Sequence, residues 1–331
     1  MLRALLFAVL AQSSPPPIID VHLHAFTADM MGPPPVAACP ATTHDPYARL
    51  GLWDGREAYS AFVGRLLRNP PCRTPVWSPR TDDENMRRTL DVLRRRNIIA
   101  VASGVPAIVD RWRAAAPERI LPSAALELGQ PWSPSLDTLR RWIQERRFIV
   151  LGEVGNQYTG VAPSDPQFEP YLTMAEELDI PMGIHMGPAA PGAPYLIPTY
   201  RARAGSPLLL EDVLVRHPRL RVYVMHAGWP MLDEMMALLF AHPQLYVDVG
   251  VIDWAIPRPE FHRYLQRLVE AGFGLRIMFG SDQLVYPEVI EHAIESIESA
   301  PFLSAEQKRD ILYNNAARFL RLDAAGRTPA R

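Results

Sequence analysis

Lysine is almost missing from this chain. Lys308 is the single one in 331 residues, set against many arginines, and it falls in the last helical stretch, so no strand end carries a lysine amine. Cysteine is nearly as scarce: Cys39 and Cys72 lie in one loop-rich region. In an oxidising compartment they could pair and stabilise the loop by roughly 3–4 kcal/mol; in a reducing one both stay free thiols. Strong charge of either sign is also lacking. A net charge of −2 provides no basic field for nucleic acid and no strongly acidic one. No apolar run is long enough to span a bilayer, which excludes stable membrane insertion. No Gly-x-Gly-x-x-Gly follows any strand, which removes a dinucleotide-binding reading.

What is present begins with Arg3 and the apolar run of residues 4–11. Val9 and Ala11 suit the −3 and −1 positions of a signal-peptidase site before Gln12. Residues 1–17 therefore read as a signal peptide with a Pro-rich lead, and the protein as exported, periplasmic or secreted. A mis-assigned start would leave it cytoplasmic.

From residue 18 onward, apolar strands alternate with amphipathic helices. Strands are expected at 18–24, 98–102, 120–126, 148–153, 182–185, 220–226, 245–250 and 275–282, with helices such as 82–96, 136–147 and 305–320 between and after them. Strict alternation calls for a parallel sheet with helices outside, and eight repeats call for a closed (β/α)8 TIM barrel. The barrel spans 18–321, with a tail at 322–331. A long Pro-punctuated insertion at 25–80 follows strand 1 and reads as a lid or a subunit contact, the latter implying a homodimer. A shorter insertion at 188–206 follows strand 5.

The first strand reads Ile-Ile-Asp-Val-His-Leu-His. Alternation puts Asp20, His22 and His24 on one face and Ile19, Val21 and Leu23 on the other. Two imidazoles at i and i+2 can address one ion. Later strands end on Glu153, His185, His226 and Asp282, and in such a barrel these ends converge. Three or four nitrogen and oxygen ligands with an open position suit a catalytic Zn²⁺ or similar divalent ion. Each residue alone has a plainer reading: His185 as a core histidine, His226 as a loop cap, Asp282 as a helix cap. Glu153 is harder to dismiss, because a carboxylate closing an apolar strand needs a partner. The other histidines (His44, His217, His242, His262 and His292) receive no chemistry; His217 and His242 precede proline at helix ends, where an imidazole near the last carbonyls is ordinary.

Five stretches carry a family resemblance: residues 19–24, Gly-Ile-His-Met-Gly at 183–187, Val-Met-His-Ala-Gly-Trp-Pro at 224–230, Met-Phe-Gly-Ser-Asp-Gln at 278–283, and Asn-Asn-Ala-Ala-Arg-Phe-Leu at 314–320. In this order the chain resembles the amidohydrolase superfamily. More narrowly it resembles the amidohydrolase-related branch, family 2, which includes the aminocarboxymuconate-semialdehyde decarboxylase type. The resemblance implies that His22, His24, His185 and Asp282 hold a first metal. It makes His226 a catalytic histidine, a support for the ligands, or a ligand of a second ion. Many two-ion members bridge the ions with a carboxylated lysine, which this chain lacks; Glu153 must supply any bridge.

The expected function is a metal-dependent hydrolase that activates water against a small-molecule carboxylic ester, lactone or amide. Asp282 takes and delivers the proton, and His226 or the metal itself stabilises the developing oxyanion. The rival inside the fold is non-hydrolytic decarboxylation of an unsaturated or aromatic acid. The rival outside it is a non-catalytic metal-binding barrel, against which the intact Asp282 argues. Trp229 and Tyr286 could line the pocket, as could Asp253, Trp254 and Gln283. Arg201, with Arg203, could clamp a substrate carboxylate, although surface arginines are ordinary in so arginine-rich a chain.

Overall fold

A computed structural model describes residues 15–41 and 53–323. The apolar run read as a signal peptide, His44 and most of the tail lie outside them. Eight parallel strands pair in sequence order: β1 (Ile18–Ala25), β2 (Ile98–Gly104), β3 (Ile120–Leu126), β4 (Val150–Val154), β5 (Met182–His185), β6 (Val222–Met225), β7 (Tyr246–Asp248) and β8 (Ile277–Met278). The last strand meets the first: Val21 N–H donates to Phe279 O at 3.0 Å, and Asp282 N–H to His22 O at 2.7 Å. Among the described residues no helix is long and apolar enough to cross a membrane.

The helices form where local chemistry allows. Thr81 caps Asp82–Arg95 by accepting from Glu84 N–H at 3.2 Å, with acidic residues in the first turn and arginines in the last to match the helix dipole. The expected helix over 305–320 is interrupted: Ala305–Arg309 and Asn315–Leu320 flank a widened turn at Asp310–Asn314. There the Ile311 carbonyl accepts from Phe279 N–H at 2.9 Å. A carbonyl turned toward the barrel in this way strains the regular ladder.

Apolar side chains divide into two bodies. One lies between strands and helices. The other fills the barrel floor, where Ile19, Val21, Val101, Val150, Tyr223 and Met278 meet Phe319 and Leu320 of the last helix.

The first insertion holds a two-stranded antiparallel ribbon (Ala37–Ala38 with Val76–Trp77) and the helix Tyr59–Arg68. Cys39 and Cys72 form a disulfide across it, with Cα atoms 5.8 Å apart. Tyr59 O–H donates to Pro191 O at 2.7 Å, joining this insertion to the second one.

Candidate metal centre

The strict alternation expected for β1 does not hold, and its failure builds the site. Opposite β2, Asp20 pairs with Ala100 but Leu23 pairs with Ala102, so three steps of β1 face two of β2. Such a bulge reverses the parity of the strand beyond it. Ile19 and Val21 point into the barrel floor, Leu23 turns outward to the helices, and His22 and His24 turn inward above Val21. Asp20, expected beside the histidines, instead accepts from Ser281 N–H at 3.0 Å and Ser281 O–H at 2.5 Å, tying β1 to the end of β8. Gly280 makes the approach possible: a Cβ there would lie 2.7 Å from that of His22.

Beyond Met278 the expected eighth strand leaves its ladder. Asp282 adopts a left-handed backbone (φ 43°), as does His226 at the end of β6 (φ 58°). Non-glycine residues held this way concentrate at functional sites. Both side chains are buried.

The strand ends converge. His24 Nε2 lies 2.9 Å from Asp282 Oδ1 and 3.4 Å from Glu153 Oε2. His22 Nε2 stands 3.8 Å from each of those carboxylates. The other oxygen of Glu153 faces His185 Nε2 at 3.7 Å. Ligand atoms of His22, His24 and Asp282 all lie within 4.8 Å of one another, as do those of Glu153, His185 and His226.

Partners behind the rings fix which nitrogen faces the cluster. His22 Nδ1 meets Asp248 Oδ2 at 3.2 Å, and His226 Nδ1 meets Gly250 O at 2.8 Å. Both partners only accept, so the proton sits on Nδ1 and Nε2 keeps its lone pair. His24 Nδ1 contacts Ser103 Oγ at 3.2 Å. Gln157 places its amide against His185 Nδ1. The atom that faces the ring is the amide nitrogen, and the amide oxygen of Gln157 is buried and unpartnered. Turned over, the amide presents that oxygen to an Nδ1–H, the tautomer that leaves Nε2 open.

The charges suit a cation. Burial opposes charge on Asp282 and Glu153, yet the surrounding imidazoles hold both below the ordinary carboxylate range. Burial also opposes a charged His22, but Asp282 and Asp248 raise its pKa well above the usual value, so the cluster favours a positive charge at His22 Nε2, which a divalent ion would supply in place of a proton. His185 goes down to about 3 through burial and the neighbouring His226, and so is the neutral, ligating form. His22 Nε2 is buried without a hydrogen-bond partner, and Asp282 Oδ1 is buried with His24 Nε2 beside it at 2.9 Å. Buried imidazole nitrogens and carboxylate oxygens that converge in this way are satisfied by a divalent ion. The residues present fit one.

The remaining expected residues scatter. Trp229 is half-buried, its Nε1–H 3.4 Å from Glu260 Oε1, and Tyr286 is buried with its hydroxyl unpartnered. Arg201 is exposed and donates to Pro198 O and Tyr200 O at 2.9 and 2.6 Å, so local backbone occupies its guanidinium. Gln283 does not line the pocket as a free group: its amide accepts from His24 N–H at 2.9 Å and donates to His24 O at 2.6 Å. Asp253 is buried with both oxygens unpartnered, and burial pushes its pKa well up.

Sequence reasoning missed three members of the site: Asp248, Gln157 and Tyr158. Asp248 carried a usable signal, being a carboxylate that ends an apolar strand just as Glu153 does. Gln157 and Tyr158 sit in a turn after β4 whose course no periodicity reveals.

A family model described as Amidohydrolase matches residues 19–322. The chain is 24% identical over 266 residues to a gamma-resorcylate decarboxylase from Rhizobium sp. (strain MTP-10005), covering 70% of this chain and 79% of that one. Among solved structures it resembles an uncharacterized TIM-barrel protein from Bordetella bronchiseptica, with TM-score 0.61 and 19% identity over 94% of this chain and 100% of that one. It also resembles a probable 2-pyrone-4,6-dicarboxylic acid hydrolase from Acinetobacter baumannii, with TM-score 0.57 and 14% identity over 92% and 99% of the two chains.

Proposed function

The chain belongs to the amidohydrolase family, and on that premise we propose that it is a metal-dependent hydrolase of carboxylic esters, lactones or amides, built around two divalent ions. One observation carries the reading: the two oxygens of Glu153 face different histidine groups, Oε2 toward His24 at 3.4 Å and Oε1 toward His185 at 3.7 Å. A carboxylate so placed serves as the bridge that a lysine-poor chain cannot build otherwise. His22, His24 and Asp282 would hold one ion, and His185 and His226 a second, with Glu153 placed to serve both. Bound there, Zn²⁺ or a similar divalent ion would supply Lewis acidity and bring the pKa of water toward neutrality; paired sites of this kind recur in hydrolytic enzymes.

The protein's own groups do the rest. Asp282, kept ionised by its imidazole neighbours, accepts a proton from attacking water and returns it to the leaving group. The ring of His226, fixed through its Nδ1–H to Gly250 O, aligns the second ligand group. The half-buried Trp229 is the apolar wall expected beside the substrate.

A second reading has its own support in the similarity to a gamma-resorcylate decarboxylase. In it the same residues position an aromatic acid that loses carbon dioxide. Elemental analysis of purified protein, followed by a screen of lactones, esters and amides beside aromatic acids, separates the two. Hydrolytic turnover at two ions per chain supports the first; carbon dioxide release without hydrolysis overturns it.

A further inference from the structure

Tyr158 stands against the ligand cluster, in contact with His185. It follows β4 in the turn Asn156–Thr159, and its hydroxyl lies 2.8 Å from His185 Nε2, to which it donates in the tautomer that carries the proton on Nδ1. Three features fix the ring. Gly155 offers no Cβ, and one placed there would come within 2.9 Å of the tyrosine ring. The Tyr158 carbonyl accepts from Thr199 O–H at 2.6 Å, and the Tyr200 ring lies 5.9 Å away, centroid to centroid. Thr199 and Tyr200 belong to the insertion after β5, so that insertion braces Tyr158 from outside the barrel.

His185 Nε2 has a single lone pair. An ion that takes it, as proposed above, leaves the Tyr158 O–H without that acceptor while the braces stay in place. A substrate oxygen drawn to the same ion then becomes the nearest acceptor of the phenol. We propose that Tyr158 is a catalytic residue of this site, a neutral donor that hydrogen-bonds the substrate oxygen on which negative charge develops. The assignment rests on the ion-binding reading of the cluster but not on hydrolysis, because a carboxylate substrate would present an equivalent oxygen.

The test uses the full chain, Co²⁺ as the ion and acetohydroxamate, an oxyanion that binds divalent metals, as the probe. Co²⁺ stoichiometry and affinity are titrated by visible absorption for wild type and Tyr158→Phe, and hydroxamate affinity is then measured on the loaded proteins. The expected result is equal Co²⁺ binding with hydroxamate affinity about ten-fold weaker in the variant. Equal hydroxamate affinity overturns the assignment alone. So does weaker Co²⁺ binding by Tyr158→Phe with hydroxamate affinity restored at saturating Co²⁺, which would reduce Tyr158 to a prop for His185. A wild type that takes up no Co²⁺ overturns the ion-binding reading and this proposal with it.

Discussion

His22 and Asp248 come from the first and seventh strands, and their contact of 3.2 Å between Nδ1 and Oδ2 decides which nitrogen of His22 faces the cluster. Asp248 also accepts from His226 N–H at 3.1 Å and Gly250 N–H at 2.8 Å, so one buried carboxylate organises ligands on two strands. Replacing it with asparagine keeps an acceptor but removes the charge that raises the basicity of His22. Asp248→Asn is expected to bind metal about ten-fold more weakly, within the usual range for a partner behind a ligand. Chelator competition measures this, and unchanged affinity would sink the role.

Glu153→Gln tests the bridge. The amide keeps the shape but supplies one weakly donating oxygen, so the two histidine groups no longer share a charged ligand. The metal content is expected to fall from two ions to one, held by His22, His24 and Asp282. Elemental analysis of the variant decides the point: two ions retained would remove Glu153 from the bridging position.

The barrel was legible because each of its elements announces itself locally. Strands at 120–126 and 182–185 have the expected bounds, since apolar runs between turn signals leave little choice. The convergence of His22, His24, Glu153, His185, His226 and Asp282 followed from fold logic, because strand ends in such a barrel meet at one mouth. The bulge in β1 was not legible. It depends on how β1 registers against β2 and on the tie from Asp20 to Ser281, 261 positions away. Tyr158 and Gln157 escaped for a related reason: their value lies in a turn whose path is fixed by β5 and its insertion.

The disulfide makes a separable prediction. Cys39 and Cys72 are 33 positions apart and close the first insertion, while every proposed ligand lies on a barrel strand or just beyond it. Replacing both cysteines with serine is expected to release roughly 3–4 kcal/mol of constraint from this segment. Limited proteolysis should then cut within 25–80 faster, with metal affinity unchanged. Loss of metal binding in the double variant would show that the insertion supports the ligands directly.

His217, which read as an ordinary helix-end imidazole, is in fact clamped between two glutamates, with Nε2 2.8 Å from Glu169 and Nδ1 3.3 Å from Glu176. Glu176 also accepts from Arg219 N–H at 2.9 Å. Burial opposes its charge, but the Arg219 amide and His217 win, and its pKa falls below the ordinary 4.5. A carboxyl lowered on folding contributes stability that is complete above its unfolded pKa, and that contribution disappears as pH drops through the folded value. Glu176→Gln is therefore expected to cost about 1 kcal/mol near pH 7. The difference should shrink once pH falls below about 4.5, where the wild-type carboxylate is protonated in the unfolded chain and then in the folded one. Thermal melts of both proteins across this interval provide the check: curves that stay parallel into acid would mean that the glutamate acts through packing rather than charge.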